Sequence, residues 1–386
     1  MTWYIRLVRL LAPFLPRRLK LAFWRFGSWR QYDVARKRAA DHILSETRAV
    51  YSDSPCTLGI IEEPSLYHRH YIRACQEMRI SYRVLNLLAD DWLGRFQNSA
   101  CDAFLVWPGC SGTAVKESFD TRLRILEQEM GYLLFPSARE CWLTEHKPRL
   151  RDWLQAHGLP HPRTWVLLDP AEALAFCRTA PLPLVVKTAT GASGSGVSIV
   201  RSRRALFSLA RRFFGRGVRI STFDPWDTQK GYFLAQEYLE GVEEWRMVRI
   251  GDSFFGHPKS RGANGMHSGS GRCEWRTPPH AMLDLLRRVT DTGNFRSMDV
   301  DLFVTPGGDL LVNECQTVFG CSVATTQMIV DGKEGRYLWK DGAWVFDEGG
   351  YCRNHLCNLR IEFLLKMLAQ QRGSIHAAPA RARTGV

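Results

Sequence analysis

No stretch of this chain is apolar for long. A helix that crosses a bilayer needs roughly 20 consecutive apolar residues, and the longest apolar stretches, such as Leu182 to Val186, fall far short of that. The expectation is a protein that is not integral to a membrane. No GxGxxG follows a strand into a helix and no GK[ST] closes a Walker loop, so two common nucleotide fingerprints are missing. The 11 cysteines include no paired CxxC of the kind a structural zinc site needs, Cys352 and Cys357 being the nearest to a pair. An odd number without a framework points to free thiols in a reducing cytoplasm. Arg6 and Arg9 interrupt the apolar start and no small-residue cleavage site follows, which argues against a signal peptide.

Acids are nearly absent from the two ends. Residues 1–38 hold ten Lys/Arg against Asp33 alone, and residues 366–386 hold Lys366, Arg372, Arg381 and Arg383 against none. These ends account for the whole formal net charge of +13, and residues 39–365 are neutral in sum. Basicity confined to the ends gives little reason to expect a nucleic-acid partner. Within residues 3–29 the bases alternate with Trp3, Ile5, Leu7, Phe14, Phe23 and Trp24. Such a segment lies on an anionic membrane surface, docks on a partner, or packs on its own protein.

What the chain does contain is material for a packed core. It has 386 residues, 45% hydrophobic and 24% charged, with 31 Gly and 18 Pro, which suits two or three structural units. From residue 57 short apolar runs alternate with helical periodicity. Strands are expected at Thr57–Ile61, Tyr82–Leu87, Ala103–Trp107 and Tyr132–Phe135. One helix should begin at Pro64 and Ser65 and another should run from Glu117 to Met130. Alternation of this kind means crossover units and a mainly parallel sheet, a Rossmann-like α/β domain. A boundary is expected near 140, then a helix from Lys147 to Gly158. The division that results is a basic segment 1–50, a Rossmann-like domain 51–140, strand-rich units 141–240 and 241–365, and a flexible basic tail 366–386.

The chemistry is concentrated in three places. Leu184 to Val186 deliver Lys187, and a turn of Gly191, Ala192, Ser193, Gly194, Ser195 and Gly196 leads into a second strand, Val197 to Val200. Backbone N–H groups bared by glycine, with a lysine beside them, can wrap a polyphosphate. A strand then runs through Gln236, Glu237, Tyr238 and Leu239 into a polar hinge at Glu243, Glu244, Trp245 and Arg246, and the next strand carries Lys259 and Arg261. Finally, Met298 to Val304 and Leu310 to Gln316 form a hairpin that sets Asp301 and Glu314 on neighbouring strands. Two carboxylates with Gln316 nearby suit a hard cation, and Mg²⁺ is the one that accompanies nucleotide phosphates, with Mn²⁺ as a substitute.

In this order the three motifs resemble the ATP-grasp superfamily, which includes D-alanyl-D-alanine ligases and RimK-type ligases, over roughly residues 55–320. The resemblance implies an α/β (α+β) ATP-grasp fold behind a Rossmann-like domain. It makes Lys147 and Lys187 the phosphate lysines, and Gly191, Ser193, Gly194, Ser195 and Gly196 the phosphate loop. Gln236, Glu237, Tyr238 and Leu239 become the adenine hinge. Glu244, or its neighbour Glu243, takes the ribose. Arg246, Lys259 and Arg261 become the catalytic cations, and Asp301, Glu314 and Gln316 the metal ligands. Gln316 stands where the family usually has Asn, and Asp299 shares its sheet face with Asp301. Gly262 to Arg272 would form a lid, with His267 in it.

The activity implied is an ATP-dependent carboxylate-amine, or carboxylate-thiol, ligase working through an acyl phosphate on small-molecule or peptide substrates. The basic N-terminus suggests envelope or surface-polysaccharide work at the inner membrane face. A kinase-type phosphotransferase and a silent nucleotide-binding scaffold at the membrane are the alternatives. The oligomeric state is left open, a homodimer included.

Overall fold

The computed structural model describes residues 47–110, 112–190, 196–220, 227–259, 275–317 and 328–377, with Pro16 alone before them. The segment 1–38, the lid 262–272 with His267, and Gly191, Ser193, Gly194, Ser195 and Arg261 lie outside the described residues.

The first sheet is built from β1 (Arg48–Ala49), β2 (Thr57–Glu62), β3 (Ser81–Asn86), β4 (Ala103–Leu105) and β5 (Leu134–Phe135), in the order β1-β3-β2-β4-β5. β2 to β5 are parallel and β1 is antiparallel at the edge. Helices α1 (Arg69–Met78), α2 (Trp92–Gln97) and α3 (Thr113–Arg124) make the crossovers, and α3 runs on as a π-helical turn to Glu129. α1 starts later than the expected Pro64. Leu66 takes a left-handed φ of 65°, and the buried Glu63 carboxylate accepts from the backbone N–H groups of Ser65 and Tyr67, so these amides are spent before a helix can use them.

A linker follows, with α4 (Ala138–Leu143) and α5 (Lys147–Ala156). The next unit is an antiparallel sheet of β6 (Thr164–Leu167), β11 (Phe233–Glu237), β7 (Leu184–Lys187) and β8 (Val197–Val200), in that order. α6 (Pro170–Thr179) and α7 (Arg203–Phe214) cover it, burying Ala173, Cys177, Leu206, Ala210 and Phe213 against Leu184, Val186 and Phe233. β9 (Val218–Arg219) and β10 (Thr228–Gln229) form a small hairpin beside it.

The largest sheet joins β15 (Leu310–Gln316), β14 (Ser297–Val304), β12 (Glu243–Ile250), β13 (Ser253–Lys259), β17 (Lys333–Lys340) and β16 (Ile329–Val330), and β18 (Ala343–Glu348) pairs with β17. Its apolar face, with Trp245, Met247, Val300 and Leu302, packs on Leu283, Leu286 and Val289 of α8 (His280–Gly293). The other face carries the charges described below.

The C-terminal helix α9 (Cys357–Ala377) returns to the first domain. Its Cys357, Ile361, Leu364 and Leu368 are buried with Leu58, Ile60 and Tyr71. Residues 366–377 are therefore helix, which corrects the expectation of a loose tail from 366. An apolar residue on the inner face at 368 keeps the helix going, and the charges of Lys366 and Arg372 pair outward with Asp252 and Asp102. α9 also holds the turn between β12 and β13. Gly251 there has φ 58°, and a Cβ would stand 2.2 Å from the ring of Phe363. The described cysteines are all free thiols, and no described helix is long and apolar enough to cross a membrane.

Candidate active site

Antiparallel pairing decides which side chains share the charged face. Arg246 on β12 lies opposite Asp301 on β14, Asp301 lies opposite Glu314 on β15, and Glu244 lies opposite Lys259 on β13. Residues two apart in a strand point the same way, so Asp299 and Gln316, themselves a pair, join this face. The register slips between Asp301 and Leu302, because Asp301 pairs with Glu314 and Leu302 with Val312. Asn313 is the extra residue.

Lys259 donates to Glu244 Oε1 at 2.5 Å and to Asp301 Oδ2 at 2.7 Å. Arg246 donates to both Asp301 oxygens, at 3.2 and 3.4 Å, and its Nε is 2.9 Å from Asp299. Burial works against the Lys259 charge, yet Asp301 and Glu244 outweigh it and hold the ammonium above its usual range. Burial pushes the two aspartates upward as well. For Asp301 the two cations prevail and its carboxyl falls below the usual range; for Asp299 burial wins despite Arg246, and its carboxyl rises. Two carboxylates sharing one guanidinium divide in this way because both cannot ionise cheaply in a dry site. No hydrogen bond reaches either Asp299 oxygen.

Two lysines arrive from outside the sheet. Lys187 ends β7 and donates to Asn313 Oδ1 at 3.2 Å. Burial, and then Lys147 beside it, lower its pKa to about 8 against the pull of Glu314 and Glu244. Lys147 begins α5 and its Nζ is 3.9 Å from Glu314 Oε1. Its position follows from the linker. His146 caps α5 by accepting the Arg149 N–H at Nδ1, which requires a neutral ring, and burial lowers its pKa to about 3. Arg149 bonds the buried pair of Lys116 and Asp120, fixing α5 to α3. The Glu140 carboxylate accepts the N–H groups of Arg296 and Ser297, and Thr144 Oγ1 accepts that of Thr317. The linker is thus stitched to the start of β14 and the end of β15, where Gln316 donates to Glu145 at 3.3 Å.

The base of the glycine loop is closed by the Thr188 N–H donating to Gly196 O. Gly196 has φ 74°, and a Cβ there would stand 1.9 Å from Thr188 Oγ1. Only glycine fits.

No protein-family model matches the chain, and no curated protein does. Solved structures do. A D-alanine–D-alanine ligase from Bacillus anthracis aligns at 18% identity over 82% of this chain and 99% of its own, with a TM-score of 0.53. A RimK domain protein, ATP-grasp, from Sphaerobacter thermophilus aligns at 16% identity over 80% and 99%, with a TM-score of 0.52. The chain has the ATP-grasp fold. The biotin carboxylase domain of the Hydrogenobacter thermophilus 2-oxoglutarate carboxylase, solved with magnesium ADP and bicarbonate, aligns at 15% identity and a TM-score of 0.49 over 69% of this chain, which spans 64% of that one.

On this ATP-grasp fold, Lys147, Lys187, Glu244, Arg246, Lys259, Asp301, Glu314 and Gln316 come together. The expected hinge residues have partners of their own: Gln236 donates to Thr164 Oγ1, Glu237 accepts the Arg163 N–H, and the Tyr238 ring lies beneath Arg201. Leu239 follows, half-buried. Glu243 points away and pairs with Arg276. The expected metal ligands each face a different partner, and among the described residues no three His, Cys, Asp or Glu side chains gather into a metal-binding cluster. Sequence reading missed Asn313 and Glu145. Asn313 adjoins Glu314 and would have been visible had a bulge been foreseen.

Proposed function

We propose that the chain is an ATP-dependent, ADP-forming ligase that joins a carboxylate to an amine through an acyl phosphate. The observation that carries this reading is the convergence of Lys147 and Lys187 on the same hairpin face that holds Arg246, Lys259, Asp301 and Glu314. A carboxylate is a poor electrophile, and its oxygen is repelled by phosphate charge. Fixed cations offset that repulsion where it develops. Lys147 and Lys187 are assigned to the phosphate oxygens, and Gly196 with the loop before it to their backbone cradle. Gln236 to Leu239 read the adenine edge and Glu244 the ribose hydroxyls. Arg246 and Lys259, with Arg261, orient the acceptor carboxylate and stabilise the transferring group.

Mg²⁺ fits the donor chemistry. Asp301 and Glu314 stand directly opposite each other in the hairpin, and with the Gln316 amide they offer only the hard oxygen donors this ion prefers. When bound it neutralises charge on the nucleotide phosphates. The finer reading, envelope or surface-polysaccharide chemistry at a membrane face, is supported by the basic, apolar-interleaved sequence of residues 1–38.

The test is ADP release from Mg²⁺-ATP across paired carboxylates and amines. Release should need both partners. Full release with the carboxylate alone, leaving a stable phosphorylated product, would favour the kinase-type alternative. Glu314→Gln keeps the volume and removes the charge, so release should fall by orders of magnitude; a wild-type rate in this variant removes Glu314 from the site.

A further inference from the structure

Although residues 39–365 are neutral in sum, residues 201–219 hold seven arginines and no acid. Leu206, Ala210 and Phe213 form the buried face of α7, while Arg204, Ser208, Arg211 and Arg212 are exposed. With Phe207, and with Arg216 just beyond the helix, they line a shallow, open depression of about 790 Å³. Two of the seven arginines serve the fold: Arg203 donates to Cys177 O, and Arg201 lies over the Tyr238 ring. Arg204, Arg211, Arg212, Arg216 and Arg219 have no carboxylate partner among the described residues.

Some surface arginines elsewhere do have one, although among the described residues exposed Arg124, Arg139 and Arg178 do not; what sets 201–219 apart is that the stretch has no acid at all. Arg79 pairs with Asp53, Arg95 with Asp91, Arg353 with Glu77 and Arg372 with Asp102. No acid stands three or four residues along α7 from its arginines to form the opposite-sign pair that stabilises an exposed helix, and a solvated face that served solubility alone would mix both signs. The spacing also limits the ligand. From Arg204 to Arg212 the helix rises about 12 Å, and the charges follow its length instead of closing around one point. A row of guanidinium forks matches many phosphates spread over a surface better than a single ion.

We propose that this arginine face is a second contact with an anionic, phosphate-bearing lipid surface, one that lays the glycine-loop unit against the bilayer. The choice of lipid over other polyanions rests on the membrane-proximal reading of residues 1–38. Phe207, half-buried among the arginines, supplies the apolar element of an interfacial face. A nucleic-acid strand would instead want exposed rings for base stacking, and α7 has none: Phe207 and Phe214 are half-buried and Phe213 is fully buried.

The test uses the full chain, a chain lacking residues 1–38, and each with Arg204, Arg211, Arg212 and Arg216 changed to Gln, sedimented with vesicles of phosphatidylglycerol and phosphatidylcholine or of phosphatidylcholine alone. These side chains are exposed, so unchanged melting temperature and ADP release should confirm an intact protein. The shortened chain should still bind anionic vesicles at low salt, release them at high salt and ignore neutral ones. The four Gln substitutions should then weaken its binding roughly a thousandfold. Equal vesicle binding with and without them overturns the proposal, and so does binding by the arginine face to single-stranded DNA in preference to vesicles. Loss of binding on removing residues 1–38 with no further effect of the substitutions also overturns it, while leaving the reading of residues 1–38 standing. If instead the substitutions abolish binding and the deletion does not, the face is upheld and the N-terminal reading fails.

Discussion

Lys187 and Asn313 meet across two sheets. Lys187 is the last residue of β7, before the glycine loop, and Asn313 is the bulge residue of the acidic hairpin, yet Nζ donates to Oδ1 at 3.2 Å. One hydrogen bond thereby ties the candidate phosphate loop to the candidate metal hairpin. An amide is a suitable partner for a lysine that must keep its charge for a ligand, because it accepts a bond without neutralising the ammonium.

Lys187→Ala should therefore leave the fold intact and weaken ATP binding by calorimetry at least tenfold, which is about 1.4 kcal/mol. Unchanged affinity would remove Lys187 from the nucleotide site.

The same residue sets a pH dependence. Its pKa is lowered from 10.5 to about 8, so as pH rises through about 8 the unliganded protein loses a positive charge where phosphate should bind. Affinity for ATP should fall above that point, and Lys187→Arg, which stays protonated, should not show the fall. The stability effect has the opposite sign. Between about 8 and 10.5 the unfolded chain holds the proton and the folded one does not, so unfolding should become harder with rising pH through that window, as far as Lys187 is concerned.

Asp299 and Asp301 lie two residues apart and should respond differently. Asp301 is the ionised partner of Lys259 and Arg246. Asp301→Asn should destabilise the protein by roughly 3–5 kcal/mol by leaving buried cations undercompensated, and should suppress Mg²⁺-dependent ADP release. Burial raises the pKa of Asp299, which favours its neutral form. Replacing it with neutral Asn should therefore cost little in thermal melts and leave the Mg²⁺ dependence in place. Equal losses in both variants would show that the two share one role.

The order of motifs was readable in the sequence because each rests on local rules. An apolar run delivers a lysine, glycines bare a turn, and alternation puts Asp301 and Glu314 on one face. What could not be read depends on side chains meeting over long separations. Glu140 fixes Ser297, and Gln316 reaches Glu145, across more than 150 residues. The Asn313 bulge is a property of the paired strands and not of either alone. The return of α9 to the first domain depends on which surface its apolar face finds to bury against. A sum over residues 39–365 also concealed the arginine face, since acids elsewhere cancel it.

Gly196→Ala tests the loop closure. A Cβ would meet Thr188 Oγ1 at 1.9 Å, and φ is 74°. Adjustment at the base of the glycine loop should raise the KM for ATP several-fold with little change in melting temperature, since Gly196 belongs to none of the core clusters. Pairing the change with Thr188→Ala, which removes the atom it strikes, should recover part of the loss. An unaltered KM for Gly196→Ala would mean that this turn does not hold the nucleotide.

The last expectation concerns acid. The rings of His70 on α1 and His355, just before α9, are in contact with centroids 3.8 Å apart and a tilt of 33°, and this contact helps to seat α9 on the first domain. His355 lies between Asn354 and Leu356, and all three have left-handed φ angles, of 45°, 56° and 64° in chain order, so the ring contact is held by an unusual backbone turn. Burial, and then their neighbours, lower the pKa of His70 to about 3 and that of His355 to about 4, from the ordinary 6.5. For His70 the neighbours are His355, Arg69, Arg73 and His68; for His355 they are Arg360 and Arg69. The folded protein thus resists protons that the unfolded chain accepts. The stabilising difference is complete above 6.5 and is lost as pH falls from 6.5 towards 3. His70→Phe keeps a ring for the contact and removes one titrating group, so its melting temperature should fall less steeply between pH 6.5 and 4 than that of the wild type. His146, also lowered to about 3, and His355 keep some slope in the variant. Parallel curves for the two proteins would show that protonation at this contact plays no part in acid unfolding.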